Sequence, residues 1–468
     1  MAVYPRPVDT LCFPQWRHFL APLGRHTARL RASAGATGGL AALFGRCFSG
    51  LLVPASHGPG SRRRAFGRVE VFWVFLAQAL TRGASCRWAL DRLHAEALAA
   101  GRPRGAGTVS AYCQARAALP LPWLQSLFAA LERWFLPRAK GDWLGRAVRV
   151  IDGTAFSMPD TPRNRRRWDH PPGSKPGCAF PAGKLVGLFC LHSGRLLSFV
   201  QDTCKTHDLK LARNLIRVLR RGEVLLADRA YCGWEFLARL RRRGVDFVIR
   251  LHQSRKVPLR KAGSVEEHWP RPPRGKASRR HWQSLPTGLK VRIVRFVTRR
   301  RGFRDRHVTV VTSLLDRKRF PDDAIAELYA QRWLVELHFR QIKTSLALDV
   351  MRGLSPAIIE RELWMHAIAY NLVRALMLEA ARTHDIDVAR LSFKGALDAL
   401  AAWTGPALRC RSRRSRARRE LLRRIAHDRV PLRPDRTEPR VRKRRPKNYQ
   451  LMTKPRHRMR VSASRSLK

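Results

Sequence analysis

The stretch Tyr329-Ala-Gln-Arg-Trp-Leu-Val-Glu-Leu-His-Phe-Arg-Gln-Ile-Lys343 contains neither Gly nor Pro, and helix formers dominate from residue 322 to 348. It reads as one helix. At about 100° per residue, Tyr329, Arg332, Glu336 and Lys343 fall within an arc of roughly 60°. One stripe then carries a phenol, two cations and an acid, with Trp333, Leu337 and Ile342 left to pack against a core. Spacing alone leaves two readings open. The stripe is either a solvated face with an Arg332–Glu336 pair one turn apart, or a face that delivers charge to a site.

Two aspartates elsewhere bear on the choice. Asp152 closes the short β-branched run 147–152 ahead of a Gly153-Thr154 turn, and Asp228 closes the apolar run 223–228. A single strand-terminal aspartate is commonly a turn former that bonds its own backbone. Two at matching positions, followed by Glu336, invite another explanation, because ligands of open α/β sheets collect at the carboxyl ends of strands. Three converging carboxylates would repel, and divalent cations remove that penalty. Oxygen ligands suit Mg²⁺ or Mn²⁺. The nine cysteines are scattered and form no CxxC pair, which argues against zinc and against a disulfide framework.

Across 468 residues, 45% apolar and 27% charged, the composition is that of a globular chain with two or three domains and excludes a mostly disordered one. The formal net charge of +59 points to a polyanionic partner, and nucleic acid fits best. A GC-rich coding bias accounts for part of the arginine but not for the scarcity of acids. No apolar run approaches the roughly 18 residues a membrane helix needs, and no signal pattern opens the chain. The expectation is a cytoplasmic, nucleoid-associated protein.

In chain order, 1–64 is a partly ordered segment with amphipathic stretches at 16–23 and 38–52 and a basic Arg62-Arg63-Arg64 run. Residues 65–145 read as an all-helical domain for DNA binding or assembly, with helices at 69–80, 85–99, 108–118 and 123–136. From residue 146 the pattern turns to a mixed sheet flanked by helices, an α/β (α+β) core over 146–252 that resumes at 319–383. A third strand at 195–202 follows a 184–192 strand through Ser193-Gly194. Residues 253–318 read as a β-rich insertion with strands at 290–298 and 307–314. Residues 384–468 form a helical and basic tail. Its stretch 409–468 holds 24 Lys or Arg against four acids, a run expected to stay mobile until it meets an anion.

These residues carry a resemblance. Tyr329, Arg332, Glu336 and Lys343 resemble the Tyr-Arg-Glu-Lys signature of bacterial DDE transposases of the insertion-sequence-four family. Ile151-Asp-Gly-Thr154 and Ser157-Met-Pro-Asp-Thr-Pro162 are similar to the blocks around and after that family's first aspartate. Leu225-Leu-Ala-Asp-Arg-Ala-Tyr231 resembles the block around its second, with Ala230 where the family usually has Gly. The resemblance spans roughly 65–380, with the four blocks in order and register. The resemblance implies a ribonuclease-H-like catalytic core, with Asp152, Asp228 and Glu336 binding two Mg²⁺ (or Mn²⁺) ions. It implies DNA contacts from Tyr329, Arg332 and Lys343, to which Arg229, Arg340, Arg165 and Arg166 are added as basic neighbours. The implied partners are double-stranded DNA, both transposon ends and target, and a second copy in a homodimer, with a hairpin at the transposon end. A decayed transposase that only binds DNA and a stand-alone metal-dependent nuclease are the alternatives.

Three smaller expectations complete the reading. Asp160 and Asp169 are ion-paired surface residues. His207 and Asp208 start a helix. The loop Arg163–Arg167 with Trp168 is either solvated or a DNA contact.

Overall fold

The computed structural model describes residues 38–48, 66–99, 107–135, 143–174, 178–255, 261–273, 282–298, 306–404 and 412–431. The expected features at 16–23 and 62–64, and residues 432–468 of the expected basic tail, lie outside them.

Helix α1 (Gly38–Phe44) precedes α2 (Arg68–Leu80), α3 (Cys86–Ala99), α4 (Val109–Ala117) and α5 (Leu121–Phe135). Thr108 caps α4 by accepting from the Ala111 amide at 3.1 Å, and Pro122 falls in the first turn of α5, where no helical N–H is needed. Then follow β1 (Val148–Ser157), α6 (Pro162–Trp168), β2 (Ala182–Cys190), β3 (Leu196–Thr203), α7 (Asp208–Leu215), β4 (Val224–Ala227), α8 (Trp234–Arg242) and β5 (Asp246–Arg250). Strands β6 (Gly263–Pro270), β7 (Gly288–Thr298) and β8 (Arg306–Thr312) come next, then α9 (Asp322–Ala330), α10 (Leu334–Arg340), α11 (Pro356–Thr383), α12 (Phe393–Trp403) and α13 (Arg414–His427).

All eight strands form one sheet in the order β3-β2-β1-β4-β5-β8-β7-β6. β1, β2 and β3 run antiparallel, while β4 and β5 are parallel to β1 and one another. The expected insertion therefore extends the same sheet, through antiparallel pairing of β8 with β5. Its edge strand β6 was not foreseen, since Gly-Ser-Val-Glu-Glu-His-Trp-Pro lacks an apolar alternation. Side chains alternate across the sheet. Val148 and Val150 join a core with α2–α5 and α9–α13, and Ile151 joins the opposite core with α7 and α8. The N-terminal helices thus share a core with one face of the sheet.

The 322–348 helix is a correction. After α9 the chain tightens into a 3-10 turn (Gln331–Trp333), resumes as α10, and widens into a π turn (Gln341–Ser345). A uniform 100° step fails across such turns. Trp333 lies 52% exposed rather than in the core. A second correction concerns Asp152. It lies inside β1, because Gly153 to Ser157 continue the ladder with β2 instead of turning.

Asp152 pairs with Gly187 of β2, and that glycine seats the following helix. A Cβ at 187 would meet Phe339 of α10 at 3.2 Å, Leu196 at 3.2 Å and Phe189 at 2.9 Å. Gly187→Val should therefore lift α10 off the sheet, destabilise the fold by about 1–3 kcal/mol and slow any reaction that needs Glu336. Urea unfolding and the rate of the DNA nicking that the resemblance implies check this together; an unchanged rate at full folding would show that Gly187 does not seat α10.

Candidate active site

The parallel register of β1 and β4 pairs Val148 with Val224 and Val150 with Leu226. Continued two residues further, it sets Asp228 beside Asp152 on strands about 4.8 Å apart. The Asp228 carboxylate accepts from the Ala230 amide at 2.9 Å, and Asp152 accepts from the Gly153 amide at 2.8 Å. α10 packs against β1 and brings the third acid. The Arg332 guanidinium donates to Glu336 at 3.0 Å and stands 4.0 Å from the Asp152 carboxylate. Glu336 is 62% exposed on its side chain, against 23% for Asp152. Two acids form a floor, and the third stands at the rim on the far side of a cation.

The Asp152 carboxyl is pushed up to about 6, chiefly by burial, with the negative charges of Asp228 and Glu336 adding to the rise and the Gly153 amide and Arg332 opposing it. Tyr329 is buried against Phe296, and burial pushes its phenol up to about 12, while Arg332 and Arg250 pull it down and Asp228 raises it. Asp152, Asp228, Tyr329, Arg332 and Glu336 therefore sense one another within a single site.

The other expected DNA-binding residues stand apart. Lys343 is half-buried in the π turn, and Arg340 is exposed at the end of α10. Arg229 is exposed and donates to Gln253 at 2.8 Å. Arg165 pairs with Asp160 at 3.3 Å, and Arg166 is exposed beside it. These two lie on a helix, α6, rather than in a loop. Trp168 is fully buried and donates to Gln201, so it offers no stacking face. Asp169 pairs with Lys205, and the His207 imidazole accepts from the Leu209 amide at the start of α7.

Sequence reasoning missed two neighbours. The Asp208 carboxylate occupies the space beside Gly153, where a Cβ would come within 3.0 Å of its Oδ2, and it pairs with Lys184 at 2.8 Å. Tyr231 is fully buried with its hydroxyl unpartnered; burial, then Asp152, Asp208 and Asp228, drive its phenol far above the usual range. Tyr231 closes the Asp228-Arg-Ala-Tyr231 block, the one linear signal that pointed to it.

The transposase DDE domain family matches residues 143–372, which span both floor acids, Glu336 and the whole sheet. The chain is a bacterial insertion-sequence DDE transposase. It is 28% identical over 331 residues to the transposase InsG of the element IS4 of Escherichia coli (strain K12), a match covering 68% of this chain and 72% of the relative. A probable transposase of IS5377 from Geobacillus stearothermophilus is 26% identical over 253 residues, 53% of this chain and 61% of the relative. Among solved structures, a piggyBac transposase synaptic complex with hairpin DNA aligns over 83% of this chain and 82% of that one, at 9% identity and a TM-score of 0.42. Enzymes of this family cleave DNA and transfer strands. Among the described residues of the transposase, no helix is long and apolar enough to cross a membrane.

Proposed function

We propose that the transposase cuts DNA at the inverted-repeat ends of its element and joins them to a target, using Asp152, Asp228 and Glu336 as the catalytic acids. The observation that carries this reading is the electrostatic convergence of these three carboxylates, from positions far apart in the chain, around the Arg332 guanidinium. The order β3-β2-β1-β4-β5, with the first three strands antiparallel and the last two parallel to β1, supports a ribonuclease-H-like core. Residues 65–145 and the extending strands β6–β8 would serve DNA binding and assembly.

Divalent metal is the family's cofactor. Among the described residues no group of three or more His, Cys, Asp or Glu is gathered tightly enough to hold an ion. The chemistry fits nonetheless. All three donors are hard carboxylate oxygens, and the Asp152 carboxyl, raised chiefly by burial and further by Asp228 and Glu336, is one whose charge a bound cation would favour. Asp152, Asp228 and Glu336 would hold two Mg²⁺ ions, which when bound supply activation of the attacking oxygen and neutralisation of the leaving one. Arg332 stands between Glu336 and Asp152; Tyr329, Arg332 and Lys343 hold phosphates near the cut, with Arg229, Arg340, Arg165 and Arg166 along the approach. Because two ends are joined, two copies act together on DNA.

Purified transposase, Mg²⁺ and labelled duplex bearing the element's terminal repeats provide the test. Wild type should nick, and Glu336→Gln should lose at least about 10³-fold in rate while binding the duplex equally well. Equal nicking by the variant would refute the assignment. Binding without nicking by either protein would favour a chain that only occupies its ends, and strand transfer from a pre-cut end separates a transposase from a nuclease.

A further inference from the structure

Helix α13 (Arg414–His427) carries six arginines and one glutamate. The sequence led us to expect a mobile basic run here, yet the helix is docked. Ala417, Leu421, Leu422, Ile425 and Ala426 are buried, and the helix packs on α11 and α12. Arg418 is committed to that dock through a double hydrogen bond to Glu379 of α11 at 2.6 and 2.8 Å. At about 100° per residue, Arg416, Arg419 and Arg423 fall within roughly 40–60° of one another on the opposite side. All three are exposed, as are Arg413 and Arg424 to either side and His427 at the end. Glu420, which pairs with Arg423, is the single acid of this face.

Six arginines elsewhere in the structure are each matched by an acid: Arg116 with Glu362, Arg146 and Arg241 with Asp246, Arg149 with Glu223, and Arg213 and Arg239 with Glu235. The outward face of α13 is cationic out of proportion to that pattern. From the seven-residue separation of Arg416 and Arg423 the stripe runs about 10 Å, and the flanking cations double it. A strand of B-DNA places a phosphate about every 3.4 Å along its axis, so a stripe of that length reaches several. Burying the apolar side first removes the ordering cost that a mobile basic tail would meet on binding.

We propose that α13 is a second DNA-binding surface, a pre-docked basic helix that holds the duplex backbone through Arg416, Arg419 and Arg423 without reading sequence. This rests on the transposase acting on DNA but not on the assignment of its acids. The test uses the full chain and a fluorescein-labelled 30-base-pair duplex of random sequence, titrated from low to moderate salt. Arg416→Gln/Arg419→Gln/Arg423→Gln should shallow the slope of log affinity against log salt by about 2–3 and weaken binding 10-fold or more at low salt. As a control, Arg217→Gln/Arg221→Gln/Arg242→Gln removes the same charge from exposed sites elsewhere. Thermal melts confirm that both variants fold. An unchanged slope for the α13 variant, or an equal loss in the control, would overturn the proposal in favour of diffuse charge. If wild type binds this duplex with the expected slope yet never nicks terminal-repeat DNA, the catalytic reading has failed and this one stands.

Discussion

Asp152→Asn should make the transposase more stable and inactive at once. The carboxyl sits at about 6 in the folded protein against an ordinary 3.8, so the folded state holds the proton more tightly than the unfolded chain. Between those two values the folded protein binds more protons, and stability falls as pH rises through that window. Above it the ionised side chain costs about 3 kcal/mol relative to an uncharged one. Asparagine keeps the shape and removes the charge. At pH 7.5 and without metal, the variant should melt a few degrees higher than wild type, and the two curves should converge near pH 4. Added Mg²⁺ should raise the wild-type melting temperature and leave the variant nearly unmoved. DNA nicking should drop at least about 10³-fold. A variant less stable than wild type at pH 7.5 would show that Asp152 is a structural ion-pair partner of Arg332 and not a carboxylate held charged at a cost.

The second large effect concerns stability. Arg116 of α4 donates to Glu362 of α11 at 2.7 Å, and both side chains are about 6% exposed. The other carboxylate oxygen of Glu362 accepts the amides of Arg352 and Gly353, each at 3.1 Å, while Arg116 also donates to Gln78 at 2.8 Å. Four segments meet at one buried acid. Glu362→Ala would strand a buried guanidinium and two backbone donors, which typically costs about 3–5 kcal/mol. Chemical denaturation should show a loss of that size for Glu362→Ala and a much smaller one for Arg116→Leu/Glu362→Gln together, in which the side-chain amide oxygen still accepts the two backbone N–H groups. Equal losses from the single and double variants would mean that the pair contributes through packing alone.

Much of this architecture was legible because local pattern and tertiary context agree. The four-residue run Val224–Ala227 is fully buried, and Asp228 follows it as expected. Helix α11 opens on Pro356, a residue suited to a first helical turn. The failures have physical causes. Gly153-Thr154 looks like a turn in isolation, yet pairing with Val186 and Leu185 holds it extended. Neither the 3-10 nor the π turn around α10 has a compositional mark, so the segment reads as one unbroken helix. In α13 the charges masked an apolar set at 417, 421, 422, 425 and 426 that is helical once sought. Of the site, the three acids and Arg332 came from linear motifs. Asp208 and Tyr231 did not, because what places them is the absence of a side chain at Gly153 and burial beneath the sheet.

The alignment of Asp152 with Asp228 belongs to neither residue; it is a property of the hydrogen-bond ladder between β1 and β4. A slip of one residue in that ladder would send one acid to the opposite side of the sheet while leaving every motif in the sequence intact. Insertions or deletions in the segment that carries the chain from β3 through α7 into β4 should therefore silence the enzyme as thoroughly as loss of an acid. Descendants of this element ought to vary that segment in composition far more readily than in length.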